Sequence, residues 1–230
     1  MIISVGIFVD SNEDVERLKV IAERGINCHL EFFHYSDFME YRELVPDNLK
    51  VTSLHAFNAD KEESFDEYIK KLEEYKAFFM PIKIDMTTDF MVVIHPNRFG
   101  KEFADIPWLY PENFPYKKKK QLRSPFHILR TCGQMTLDTS HLDPDVVRSE
   151  QLMRSLIQNA DIIHFSQRLS INSKDHHRPI NHKGEVLTGL VIKTLKQSTY
   201  HVQELVLEYM PDYFHQQMKD YVYLHKVLKL

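Results

Sequence analysis

Short apolar runs along this chain alternate with stretches whose apolar positions recur every three or four residues. A run of four to eight apolar residues rich in β-branched or aromatic types reads as a buried strand, and three-and-four spacing reads as a helix. On that basis strands are expected near 2–9, 27–33, 50–56, 90–95, 107–112, 134–139, 161–166 and 203–209. Between the first two, "SNEDVERLKVIAERG" joins a Ser/Asn start, helical spacing and a Gly stop. The same period recurs in "EESFDEYIKKLEEYKAFFM", "DPDVVRSEQLMRSLIQNA", "VLTGLVIKTLKQSTY" and "PDYFHQQMKDYVYLHKVLKL".

Buried strands alternating with helices argue for parallel βαβ units rather than a meander. Eight such units close into an α/β (β/α)8 TIM barrel, expected here as a compact single domain over residues 1–230. Two connections are short. "PNRFGKEFADIP", after strand four, has room for barely a turn of helix. After strand five a short helix is expected, with Ser124 as cap, Pro125 at its first position and Gly133 as stop.

Composition narrows the picture only slightly until the histidines are reached. No apolar run approaches the roughly 20 residues of a membrane span, and the N-terminal stretch reads as a strand leading into a helix rather than a signal peptide. Two cysteines, Cys28 and Cys132, build no disulfide framework and suggest a reducing, cytoplasmic setting. A net charge of -4 provides no global field to draw in nucleic acid or an anionic membrane. The run Lys117–Lys120 is either a solvated loop or a local phosphate-contacting patch. The thirteen histidines are the outlier, and histidine is the commonest metal-binding side chain.

Their positions matter more than their number. Strands three to eight finish in His55, His95, Glu112, Asp138 with His141 just beyond, His164 and Glu208. In a barrel those C-terminal ends converge on one mouth, where active sites of this fold lie. The stretch "LDTSH" alone would pass for a turn in which Asp138 and Ser140 bond local backbone. Six polar strand ends in a row are harder to explain that way, because each puts a costly polar group beside the core. Imidazole with carboxylate is the ligand set of zinc, manganese or iron. "SKDHHRPINHKGE" adds Asp175 and His177 as further candidates, with His176 and His182 as partners or loop residues. More ligands than one ion can use imply two or three ions sharing carboxylates, an arrangement that activates water against phosphate esters. In "CHLEFFH", Glu31 and His34 stand either at the mouth or on the rim, with Glu31 a candidate general base.

These residues resemble the xylose-isomerase-like TIM barrels, the superfamily of sugar-phosphate isomerases and epimerases and of AP endonuclease family 2. The motifs are "SLHAFNAD", "VVIHPN", "YPENFP", "LDTSH", "IIHFSQ", "DHHRPINHKGEV" and "LVLEYMP", which fall in order on strands three to eight. In its metal shell the chain is most similar to endonuclease IV. That resemblance implies up to three divalent ions, zinc foremost. His55, His95 and Glu112 would hold one, while Glu112, Asp138, His164 and Glu208 would hold the second. His141, Asp175 and His177 would hold the third. The implied activity is phosphoester hydrolysis on abasic DNA or a smaller phosphorylated molecule. The superfamily's isomerases use one ion on Glu112, Asp138, His164 and Glu208, with Glu112 and Glu208 moving a proton next to a carbonyl. Where endonuclease IV has an aromatic loop residue after strand three, Asn58 stands here, and the acidic chain with trimmed loops is a poor match for duplex DNA. The sequence leaves the oligomeric state open.

Overall fold

The computed structural model describes residues 1–84, 90–96, 99–113, 124–142, 146–147, 149–167, 177–180, 186–197 and 201–230. The strands are β1 (Ile2–Phe8), β2 (Asn27–Glu31), β3 (Lys50–His55), β4 (Met91–Ile94), β5 (Leu109–Pro111), β6 (Thr136–Asp138), β7 (Ile162–Phe165) and β8 (Glu204–Glu208). They form one parallel sheet in the order β5-β4-β3-β2-β1-β8-β7-β6. Among the described residues, one parallel bridge between Glu112 and Thr136 joins the two outer strands and completes the ring. The expected TIM barrel is the architecture observed.

The helices form where local chemistry stops and starts them. Helix α1 (Asn12–Glu23) is capped by the Ser11 hydroxyl, which accepts from the Asp14 amide. Helix α3 (Phe65–Phe79) starts with a reciprocal box between Ser64 and Glu67. Helix α4 (Pro125–Cys132) has Pro125 in its first turn and ends at Gly133 with φ +73°, a conformation glycine adopts without strain. Helices α5 (Glu150–Asn159), α6 (Val186–Lys196) and α7 (Phe214–Leu228) cover the β6–β8 side. Their apolar faces pack with Leu137, Ile163, Leu205 and Leu207 in one buried cluster, while α1 and α3 pack with β1–β5 in another. Inside the ring, Val93, Ile162 and Val206 fill a third cluster, with Met91 and Tyr110 against it.

Two expectations change, and one short connection is as expected. Helix α2 (Tyr35–Tyr41), between β2 and β3, was not anticipated, because Phe38 is its one buried residue and no period is visible. The connection after β4 is a 3-10 turn, Gly100–Asp105, as its length dictates. Strands β5 and β6 are three residues each, shorter than expected, since Asp138 already caps the next turn. No helix among the described residues is long and apolar enough to cross a membrane.

Candidate metal centre

At the C-terminal mouth, a single carboxylate gathers four imidazoles. Glu112 follows β5 and is 1% exposed. Its Oε2 lies 3.0 Å from His55 Nε2 and 3.3 Å from His95 Nε2, and its Oε1 lies 3.5 Å from His141 Nδ1 and 3.7 Å from His164 Nδ1. Around this centre, His164 Nδ1 is 2.8 Å from Glu208 Oε2, and His141 Nδ1 is 2.8 Å from Asp138 Oδ2. His177 Nδ1 stands 3.6 Å from Glu208 Oε2, and Glu31 Oε1 is 3.7 Å from His55 Nδ1. Nine of the sequence's candidates (Glu31, His55, His95, Glu112, Asp138, His141, His164, His177 and Glu208) therefore meet at one mouth. Asp175, His176 and His182 lie outside the described residues. His34 is exposed and opens α2, with Asp37 accepting from its backbone amide.

The mutual field fixes the charges in the metal-free protein. Burial by itself would raise Glu112, but His164, His141 and His55 hold it well below the usual carboxylate range. Glu208 behaves alike, burial being outweighed by His164 and His177. Burial opposes charge on His55, yet Glu31 and Glu112 raise it to about 9. His164 is held well above the ordinary value by Glu208 and Glu112 against its burial, and His141 by Asp138 and Glu112 against its own. Glu112 and Glu208 are bases, and His55, His141 and His164 carry the protons that a metal ion would displace.

Donor atoms come together in three overlapping groups whose members lie within 4.8 Å of one another: His55, Glu112 and His164; Glu112, Asp138 and Glu208; and Asp138, His141 and His177. Both ring nitrogens of His164 are buried and neither makes a hydrogen bond among the described residues, although Nδ1 lies 2.8 Å from Glu208 Oε2. Mixed imidazole and carboxylate donors at this spacing fit a divalent zinc, manganese or iron ion.

Local structure holds these candidate ligands. The Asp138 carboxylate accepts from the Ser140 amide at 2.7 Å and the Ser140 hydroxyl at 3.2 Å, so the turn and the site use the same group. Asn113 brackets Asp138, its Oδ1 accepting from the Asp138 amide at 2.7 Å and its Nδ2 donating to the Asp138 carbonyl at 3.0 Å. His177 has a φ of +57°, uncommon for a non-glycine residue and typical of strained sites. Its carbonyl accepts from the Met210 amide at 3.0 Å. Tyr209 Oη accepts from the Ile180 amide at 2.9 Å and donates to the buried Asp220 carboxylate at 2.8 Å, pinning the segment that carries His177. Tyr209→Phe is expected to lower stability by about 1–3 kcal/mol, measured by urea unfolding, because it orphans a buried donor and a buried acceptor.

Above the ligands opens a cleft of about 650 Å³. Glu31, His95, Glu112, His141 and Glu208 line its floor, and Phe8, Phe33 and Met210 stand among its walls. Gly6 sits at the same level, where an added Cβ would come within 3.3 Å of the Leu207 carbonyl.

No protein-family model matches this chain, and no curated protein matches it in sequence. Among solved structures it is similar to an IolI protein with a bound zinc atom, at 12% identity and a TM-score of 0.61, covering 100% of this chain and 96% of that one. It is also similar to an L-ribulose 3-epimerase, at 12% identity and a TM-score of 0.56, covering 97% and 86%. Neither bears the name of an endonuclease, so the expected closeness to endonuclease IV has no counterpart in these two structures. At this identity the likeness shows a shared fold, the parallel α/β barrel.

Proposed function

We propose that this chain is a divalent-metal-dependent isomerase or epimerase of a sugar or sugar derivative, working by proton transfer next to a carbonyl. One observation carries the reading: two ionised carboxylates, Glu112 and Glu208, converge with Asp138 within 4.8 Å, and both glutamates line the cleft. Similarity to an L-ribulose 3-epimerase and to a zinc-binding IolI protein supports this reading over hydrolysis. Glu112, Asp138, His164 and Glu208 would hold the ion, which when bound polarises a substrate carbonyl and acidifies the neighbouring C–H. One of the two glutamates takes that proton and the other returns one, on the same carbon for epimerisation or on the neighbouring carbon for isomerisation. Their lowered pKa values keep both in the proton-accepting form at neutral pH. Phe8 and Phe33, edge to face with ring centres 5.8 Å apart, provide an apolar wall for a sugar ring.

The test is incubation of the metal-loaded protein with ketoses in deuterated water. Deuterium is expected at the carbon beside the carbonyl, and Glu208→Gln should slow its entry by about 10²–10⁴-fold. No exchange on any ketose, alongside release of product from a phosphodiester, would overturn the proposal.

A second reading, phosphoester hydrolysis at two or three ions, is favoured by one feature. The group Asp138, His141 and His177 offers a binding place beyond the four ligands that an isomerase needs. Its substrate would be a phosphorylated small molecule or nucleic acid. Elemental analysis separates the two: one equivalent of metal per chain fits the isomerase, and two or three fit the hydrolase.

A further inference from the structure

Strand β3 breaks its own alternation on the way to the site. Val51 and Leu54 belong to the cluster packed against α1 and α3, so they face outward. Thr52, Ser53 and His55 face inward. Thr52 Oγ1 lies 2.5 Å from Glu204 Oε1 of β8, and since β2 and β1 separate β3 from β8 in the sheet, this contact crosses the interior of the ring. Ser53 Oγ is 2.5 Å from Nδ1 of His29, whose ring stands edge-on to His164 with centres 4.9 Å apart. His55 reaches Glu112. Two consecutive inward residues mark a β-bulge, and the register steps from Cys28 opposite Val51 to His29 opposite Ser53, passing over Thr52. Regular alternation through Thr52 would turn Leu54 inward and His55 outward. The bulge is what aims His55 at the metal centre.

The hydrogen atoms around Thr52 identify what holds the bulge. Its hydroxyl has one hydrogen to give. Thr52 Oγ1 lies 2.9 Å from the Cys28 carbonyl oxygen and 2.5 Å from Glu204 Oε1. The Cys28 carbonyl only accepts, so both contacts are satisfied at once only when the threonine hydrogen goes to Cys28 and a protonated Glu204 supplies the second. Ser4, on β1, donates its hydroxyl to the same Glu204 oxygen. Glu204 is completely buried, and burial raises its carboxyl, with the neighbouring hydroxyls of Ser4, Ser53 and Thr52 opposing less strongly.

We infer that Glu204 is a neutral carboxylic acid that clamps the Thr52 bulge from across the barrel and is thereby the positioning residue for His55. This role goes beyond the reaction at the mouth and holds for either chemistry there. It assigns a task to a buried acid below the metal ligands that neither proton transfer nor hydrolysis uses.

The experiment compares Glu204→Gln, Glu204→Met and Thr52→Val. Two readouts are taken: the imidazole nitrogen resonances of His55 in the metal-free protein, and zinc affinity by competition titration. Glutamine keeps one donor and one acceptor, so Glu204→Gln should leave the His55 resonances in place and zinc affinity within about twofold. Glu204→Met and Thr52→Val remove the clamp, and each should shift the His55 resonances and weaken zinc binding by about 10–100-fold, as loss of a group supporting a ligand does. If Glu204→Met fails to fold, Thr52→Val, which keeps side-chain volume, decides. A folded Thr52→Val or Glu204→Met protein with lowered thermal stability but unmoved His55 resonances and unchanged zinc affinity would overturn the positioning role. A Glu204→Gln protein as impaired as Glu204→Met would overturn the neutral-acid assignment.

Discussion

Glu112→Gln is expected to strip the site of metal and lower turnover by at least about 10³-fold, the largest effect of any single side chain in this protein. Glu112 is the one group shared by four imidazoles, and it belongs to two of the three donor groups. An amide is nearly the same size but carries no charge, so the ion loses its central anion while packing is kept. The metal-free protein gives an independent signature. His55 is raised from 6.5 to about 9 in the folded state, so it binds its proton more tightly there than in the unfolded chain. Its stabilisation is fully present below pH 6.5 and is lost as pH rises through about 9, a contribution of about 3 kcal/mol. In Glu112→Gln that decline should shrink, leaving the part due to Glu31. Metal content by elemental analysis and urea unfolding between pH 6 and 10 check both halves. Unchanged metal content together with unchanged turnover would remove Glu112 from the centre.

Phe38→Ala should destabilise the fold by about 3–5 kcal/mol, without touching any ligand. Phe38 is completely buried, and its ring meets Phe32, Tyr75, Phe78 and Phe79 with centres 5.1–6.0 Å away. It is also the one buried residue of α2, so truncation opens a cavity and loosens the whole element. The Arg42 guanidinium 5.2 Å above the ring loses its face as well. Urea unfolding should show a lower midpoint with little change in slope. A loss below about 1 kcal/mol would mean that the neighbouring rings collapse into the space.

The sequence already carried the barrel and most of its mouth, for a physical reason. Strands buried on both faces are uninterrupted apolar runs, and a His, Asp or Glu where such a run stops stands out. The elements that escaped lack such contrast. Helix α2 buries only Phe38, so "YSDFMEY" shows no period. The Thr52 bulge adds a residue without any glycine or proline to announce it. His29 sits two residues before Glu31 on the same face of β2, and strand alternation would have placed it inside the ring. Glu204 in "QELVLEY" looks like a strand's polar start, because nothing local shows that a threonine five strands earlier in the chain waits across the barrel. Asp138 had two readings, a turn and a ligand; its carboxylate caps the turn and also faces His141 at the mouth, where a ligand would stand.

The ring of strands has a seam, and the candidate metal centre lies across it. Where other neighbours are laced by ladders of several residues, β5 and β6 meet at one bridge, helped by the side chain of Asn113. Glu112 stands on one lip of that seam and Asp138 on the other. An ion held by both would work as a rivet, tying together the only two strands that the backbone itself barely joins among the described residues. At a hundredfold excess over its dissociation constant, such an ion adds about 2.7 kcal/mol to the whole fold. Its local effect would concentrate where the hoop is least laced, so an ion bound there for chemistry would also hold the barrel closed.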